Sequence, residues 1–462
     1  MKSLSFFFVA LACLLAGCTR ERFTTTAGAQ LSLERDTLRF DTVFTTTGST
    51  TRFIKIFNAN QEGIRLQTAR LAGGTASPFN INVNGSVGPV VEGVAINGGD
   101  SAYLFVTVRI NPSAAAQPFV VRDSVALEYN GNTQWVQLEA YGQNARFLHN
   151  ATIKGTHVWD NSLPYVLSGS FTVDTAATLT IQPGTRIYIN ARTPFMVHGS
   201  LQVLGAAGDS NWVQFRGNRL DAPYKDYPAG YPGIIFSAAS RDNKIQFAQI
   251  SNAYQAVVLA GPNPGAGPKL QLWESVIENC YDAAVLAGGS SIDARNVVVQ
   301  NSGKGVQLLA GGDYTFTHCS FVSYSDLFIA HKDPTLLINN NTPSGGAALN
   351  VLFQNCIIWG DSSGLVPNEV VVSRTGAAPF NVRFDAVLWR VKDVPAPANI
   401  AAAINNQLPQ FDSINTLKRM YNLRLSPTSP ALDKGSPTLV TVDADGKPRP
   451  VGLPDLGAYE RQ

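Results

Sequence analysis

Four groups of residues in this 462-residue chain have types and spacings that could do chemistry. Gly360-Asp361-Ser362-Ser363-Gly364 has the G-x-S-x-G spacing that exposes a serine nucleophile at a strand-to-helix turn. Leu365-Val366-Pro367 follows, and proline blocks the helix that such a turn needs. Ser362 is therefore read as a loop serine. Asp443-Ala444-Asp445-Gly446 has the opening of a calcium loop, but the later oxygen ligands are missing, so a tight turn is the better reading. His149, His157, His198, His318 and His331 show no metal spacing, and HExxH, paired Cys-x-x-Cys and Walker lysine motifs are absent. No metal and no cofactor is expected, and no catalytic residue is assigned. The fourth group is Trp273, Asp293 and Arg295. An indole beside an ion pair suits a sugar ring: the indole offers a flat apolar surface, and the charged pair bonds to hydroxyls. The plain alternative is a solvated strand face.

These three residues meet only if the chain coils at a fixed period. Three segments repeat: Ile250–Gly261, Ile277–Gly289 and Val299–Gly312. Asn252, Asn279 and Asn301 recur within them, 27 and 22 residues apart. The longer interval contains the loop Gly261–Gly267. The repeat also puts Leu259, Leu286 and Leu308 at corresponding places. A period near 22 residues fits one coil of a parallel β-helix, whose coils stack at ~4.8 Å. A second ladder aligns the segments starting at Lys244, Leu270, Ile292, Tyr314 and Val351. It points Leu272, Ala294, Phe316 and Phe353 inward. It gives Asn296, His318 and Asn355 one shared turn position. By the same phase Gln271 lies beside Asp293, and Trp273 beside Arg295. Cys280, Cys319 and Cys356 are odd in number and read as small apolar core residues rather than a disulfide framework. The first candidate for an amphipathic helix comes only at about 396–407.

Residues 34–143 have period two instead. Thr37–Phe44 and Arg52–Phe57 alternate, and Asn58-Ala59-Asn60 breaks the pattern. Tyr103–Val108, Ser124–Tyr129 and Gln134–Leu138 alternate later, with Asn130-Gly131-Asn132 as a tight hairpin signal. Six or seven such strands predict an immunoglobulin-like β-sandwich. The expected fold class is all-β: the N-terminal sandwich followed by a right-handed parallel β-helix. Composition agrees. Hydrophobic residues are 45% of the chain, mean hydropathy is +0.01, and charged residues are 15%. Basic and acidic residues number 35 and 33, a formal net charge of +2, which argues against a nucleic-acid partner.

The N-terminus carries the address. Met1-Lys2 is followed by the apolar run Phe6–Leu15, too short to span a membrane, and then Leu15-Ala16-Gly17-Cys18. These four residues resemble the lipobox of bacterial lipoproteins. The resemblance implies removal of a signal peptide over 1–17, lipidation of Cys18 and anchoring to a membrane by its acyl chains. Thr19 stands where an inner-membrane retention signal would place Asp, so the outer membrane is expected. Residues 18–33 read as a tether.

Two further stretches resemble bacterial surface proteins. Leu179-Thr-Ile181-Gln-Pro-Gly-Thr185-Arg-Ile187 resembles an early turn of many right-handed parallel β-helix proteins. Asn422–Gly435 and Asp443–Glu460 resemble the choice-of-anchor Q ending of such proteins. That resemblance implies a segment, here 405–462, that closes a β-helix spanning 145–404. The sandwich resembles domains of the abnormal-spindle and choice-of-anchor D types. The chain thus resembles a Bacteroidetes-like lipoprotein. The expected function is a lipid-anchored envelope protein whose β-helix is a binding or structural scaffold, for a glycan or another envelope protein. The alternative is a polysaccharide lyase or glycoside hydrolase acting in the β-helix groove.

Overall fold

The computed structural model describes residues 21–113, 118–361 and 364–462. Cys18 and Ser362 lie outside them. The described chain is all-β, with three short 3-10 turns and no α-helix among the described residues. It divides into two compact units, with the boundary between Asn144 and Ala145.

The first unit holds two five-stranded sheets. One contains Arg52–Phe57, Phe79–Val83 and Ser101–Val108; the other contains Thr37–Phe44, Ile64–Leu71, Val90–Ile96, Phe119–Tyr129 and Asn132–Gln143. Alternation decides which side chains are buried. Leu38 and Phe40 turn inward while Arg39 stays exposed. Ile54, Ile81 and Leu104 from one sheet meet Leu66, Leu127 and Val136 from the other in a single core. The hairpin at Asn130-Gly131 has φ of 49° and 76°, so both central residues are left-handed, and Tyr129 pairs with Asn132. That is the geometry whose twist matches paired strands, and Asn-Gly supplies it with least strain. Asn58, which breaks the alternation, is buried. Its amide donates to the carbonyls of Glu62, Ile96 and Asn97.

The second unit is dominated by one 24-stranded sheet whose named pairings are parallel. Over residues 178–260 each strand pairs with the third strand after it. Each coil therefore has three strands and three faces. The first face runs through Ser200–Leu204, Asn243–Gln246 and Leu270–Trp273, then Ile292–Arg295, Tyr314–Thr317 and Val351–Gln354. The second runs through Ala248–Ser251, Val276–Glu278 and Val298–Gln300. Inward residues stack coil on coil. Leu272, Ala294, Phe316, Phe353 and Phe384 form one row. Phe316 and Phe353 lie parallel at 4.8 Å, and Phe353 and Phe384 at 5.1 Å. Each such buried side chain contributes roughly 1.5–3 kcal/mol of apolar transfer. Cys280, Cys319 and Cys356 are free and buried within this core. Burial pushes the Cys280 thiol up to about 12.

Three expectations are corrected. Residues 396–407 form no helix: Asn399–Ile400 and Ala403–Asn405 are strands paired to Phe380–Trp389, so they finish the last coil. The coil at Lys244 is offset by one residue: Asn243, not Lys244, pairs with Leu270. The reason is Phe247, which takes a left-handed turn (φ 46°) where strand alternation alone would have carried it inward. Likewise Leu259 pairs with Ala287 rather than Leu286, and Ala287 with Leu308. The turn before Val285 holds one more residue than its neighbours, which tips Leu286 outward.

Beyond Asn405 the hairpin Phe411–Asn415/Met420–Leu425 leads into an irregular tail. The tail buries Ala431, Ala444, Leu456 and Ala458 against Val298, Val322, Ile357 and Leu388 on the outside of the second face. Its motif residues bind one another. Arg449 and Glu460 form an ion pair, 2.9 Å apart, and both side chains are fully buried. Asp443 Oδ1 accepts the N–H groups of Asp445 and Lys447, and Oδ2 accepts that of Glu460. Asp445 pairs with Arg424 instead of aiming at a shared ion site. Gly457 has φ of 91°, and a Cβ there would meet Ser320 Oγ at 2.7 Å, so the position needs glycine. Asp443-Ala444-Asp445-Gly446 is a turn.

Candidate functional site

Strand pairing brings Trp273, Asp293 and Arg295 together on the outside of the first face. Gln271 pairs with Asp293, and Trp273 with Arg295, on adjacent coils. Asp293 and Arg295 are two apart on one strand, so they share its outer side, and their groups form a 2.9 Å ion pair. The indole N–H of Trp273 donates to Asp293 Oδ2 at 3.3 Å.

Two cations lie over the indole. Lys244, from the coil before, lies 4.3 Å from the ring centroid, and Arg295, from the coil after, lies 4.5 Å from it. Burial lowers the pKa of Lys244, and Arg295 lowers it further, while Glu274 opposes the shift. Cations this close are favourable for the ring and compete with a sugar for its surface. Trp273 and Arg295 therefore position Asp293.

Asp293 itself lines an open groove of about 990 Å³. The loop Pro262–Pro268 walls one side. Lys269 fixes the foot of this loop: its buried ammonium donates to the carbonyls of Ser237, Ala238 and Ala260. Burial pushes Lys269 down to about 8. Along the floor run two columns of polar residues. Gln271, Asp293 and Thr315 form one; Ser291, Asp313, Asn350 and Asn381 form the other. The second column is a hydrogen-bonded ladder: Asn350 donates to Asp313 at 2.8 Å, and Asn381 donates to Asn350 at 2.7 Å. Ser290 Oγ and Asn263 Oδ1, also at the groove, have no hydrogen-bond partner.

The ladder residues are missed by the motif search. Their signal is in the sequence: each polar residue directly precedes an inward residue at the same coil position, as in Asp313-Tyr314, Asn350-Val351 and Asn381-Val382. Among the described residues, no group of three or more His, Cys, Asp or Glu is placed to hold a metal ion. His318 is fully buried at its turn. Burial pushes it down to about 2, with Arg449 adding to the shift and a hydrogen bond at the Asp455 backbone opposing it. It is a stacked turn residue beside Asn355 and Thr438.

No family model matches this chain. No curated protein matches it. Solved structures that match include a family 123 glycoside hydrolase from Clostridium perfringens, at 11% identity over 26% of each chain, with a TM-score of 0.19. They also include an ASH/PapD-like domain of human CEP192, at 8% identity over 28% of this chain and 90% of that one, with a TM-score of 0.17. The chain spans about a quarter of the hydrolase's length. Likenesses this slight carry no argument about fold or function.

Proposed function

We propose that this chain is a lipid-anchored protein of a bacterial outer membrane whose second unit binds glycans in the groove beside Asp293. On this reading the first unit is an immunoglobulin-like sandwich that spaces the binding unit from the membrane. The second is a right-handed parallel β-helix, closed by residues 405–462. The observation that carries the binding role is the floor of the groove. Its amide and carboxylate columns repeat at the coil spacing of ~4.8 Å. They present amide, hydroxyl and carboxylate groups, the kinds of donor and acceptor that sugar hydroxyls bond to. The anchor is supported by Leu15-Ala16-Gly17-Cys18 and the apolar run before it.

Two experiments test the parts separately. A glycan array probed with the full chain in detergent is expected to show one class of bound glycan. Asn350→Ala together with Asn381→Ala is expected to weaken that binding at least tenfold. Unchanged affinity in the double variant rejects the groove. Metabolic palmitate labelling is expected to be lost in Cys18→Ser; label that persists rejects the anchor. Asp293 and Asp313 both face the groove, which favours a second reading, a polysaccharide lyase or glycoside hydrolase acting there. Incubating the bound glycan with the chain and sizing the products decides between binding and cleavage.

A further inference from the structure

The groove on the first face carries charge of one sign. Among the described residues that line it none is Lys, Arg or His, and two are carboxylates, Asp293 and Asp313. A second pocket, of about 490 Å³ on the outside of the second face, is unlike it: there Arg216, Lys225, Lys418 and Arg419 stand against Asp226 and Glu278. A cleft lined by one sign of charge concentrates ligands of the other sign.

The two carboxylates of the groove are not equivalent. Asp293 forms its 2.9 Å ion pair with Arg295 and accepts the indole N–H of Trp273, so its charge is matched before any ligand arrives. Asp313 is exposed. It accepts the Asn350 amide on Oδ1 at 2.8 Å and forms no ion pair among the described residues. Its charge is therefore unmatched, and Oδ2 is left for a ligand. Strand pairing sets Asp313 beside Ser291 and Asp293 beside Thr315. The two Asp residues lie on adjacent coils, two residues out of step, with α-carbons about 8 Å apart at a coil spacing of ~4.8 Å and a rise of ~3.3 Å per residue. The turns that lead into the Asp313 column carry little bulk: Gly288-Gly289, Gly311-Gly312 and Ala347-Ala348. Gly312 allows no side chain, because a Cβ there would meet the Ser290 carbonyl at 2.3 Å.

These observations define which sugar fits. A protonated amine donates up to three hydrogen bonds and supplies the charge that Asp313 lacks. N-acetylation removes that charge. A uronate would bring a further carboxylate to a groove with no basic residue to receive it. We propose that the groove selects glycans whose hexosamine residues carry a free, protonated amino group, with Asp313 as the counter-ion. The proposal rests on the reading of the groove as a glycan site and names the class of glycan.

The test titrates the full chain, in detergent, with β1,4-linked tetramers of glucosamine, N-acetylglucosamine and glucose, which differ only at carbon 2, and with a tetramer of glucuronate. The glucosamine tetramer is expected to bind at least about threefold more tightly than the N-acetylated one, and the glucuronate tetramer most weakly of the four. Added salt is expected to shrink the preference. Asp313→Asn keeps the shape and the acceptor for Asn350 and removes the charge. It is expected to erase the preference and its salt dependence, with an unchanged melting temperature. A preference that survives in Asp313→Asn overturns the proposal. Equal binding of the glucosamine and glucose tetramers overturns it too; if Asn350→Ala with Asn381→Ala still weakens both, the groove binds glycans and the selection alone fails. No binding of any tetramer also overturns the proposal, and the glycan array then judges the groove separately.

Discussion

Two turn columns of the second unit use one backbone device and end differently. Phe247, Glu274, Asn296, His318, Asn355 and Ala386 share one turn, all left-handed, with φ between 41° and 57°. Asn252, Asn279 and Asn301 share the other. Left-handed backbone costs most residues about 1–2 kcal/mol, and Asn least, because its short amide bonds locally. Once the turn is fixed, the side chains are free for other work. In the first column that work is sealing. Asn296 donates to the Val442 carbonyl and accepts from Arg449, and Asn355 exchanges bonds with Ser436. The C-terminal tail lies over the column and excludes water. In the second column the same residue type ties down the walls of the pocket on the second face: Asn252 donates to the Lys225 carbonyl, Asn279 to the Asp226 carbonyl and Asn301 to Asp326 Oδ2. A turn ladder is thus not a function in itself. What is laid over it decides whether it becomes core or pocket.

The largest expected effect tests the register on which both columns rest. Phe316 is 1% exposed and inside the stack, while Thr315 faces out. Truncating a buried Phe costs roughly 3–5 kcal/mol, and a buried unpaired charge adds to that. Phe316→Asp is therefore expected to unfold the second unit at temperatures where Thr315→Asp remains folded. Equal melting temperatures for the two variants would break the comparison at its base.

Next is the seal. Arg449→Met leaves the Glu460 carboxylate buried without its partner, at a cost of about 3–5 kcal/mol. Calorimetry on the full chain is expected to show the second unit melting earlier and the first unit unmoved. A change below about 1 kcal/mol would mean that the tail seals nothing.

The third effect is a pH dependence carried by His318. Its folded pKa is lowered to about 2 by burial, whereas an unfolded histidine titrates near 6.5. The unfolded chain thus binds a proton that the folded chain refuses. Stability is fully present above about pH 6.5 and is lost as pH falls from there toward 2, by about 2 kcal/mol at pH 5. Burial raises the pKa of Asp443, Asp455 and Glu274, which acts in the opposite direction. The histidine's share is read between pH 7 and 5 as the difference between the chain and a variant that lacks it. His318→Gln is expected to flatten the dependence there. An identical slope in the variant would assign it to another group.

The smallest effect contrasts the columns directly. Glycine accepts the left-handed turn without strain, so Asn→Gly removes only side-chain bonds. Asn301→Gly loses one bond, to Asp326, worth about 1 kcal/mol. Asn355→Gly loses bonds to His318 and Ser436 in the sealed column, worth about 2–3 kcal/mol together. Urea unfolding of both variants ranks them. The reverse order would show the open column to be the structural one.

Much of this arrangement was legible in the residues. The period near 22 put Gln271 beside Asp293 and Trp273 beside Arg295, and strand pairing has them so. Alternation located Phe316 and Phe353, and Asn130-Gly131 located a hairpin. Two coils were misaligned by one residue, at Lys244 and at Leu286. In both, a turn residue interrupts the alternation, and a pattern of period two has no way to register an extra residue that points to neither face. The groove itself was not legible. Trp273 stood out as an aromatic, but the cations that two other coils bring over its ring did not.

The sequence by itself determined which residues are strand, which of them face inward and how far apart the coils repeat. Those properties depend on side chains a few positions apart, and on the cost of burying a charge or exposing a phenylalanine. Only the tertiary structure decided which outer positions are open. The tail at 426–462 folds back over coils more than a hundred residues earlier, with Arg449 reaching Asn296. Loops of unequal length, such as Pro262–Pro268 and Asp221–Pro232, wall some faces and not others. Whether Asn296 or Asn301 ends as seal or as pocket wall follows from those long-range contacts, because the two residues are alike in type and backbone angle.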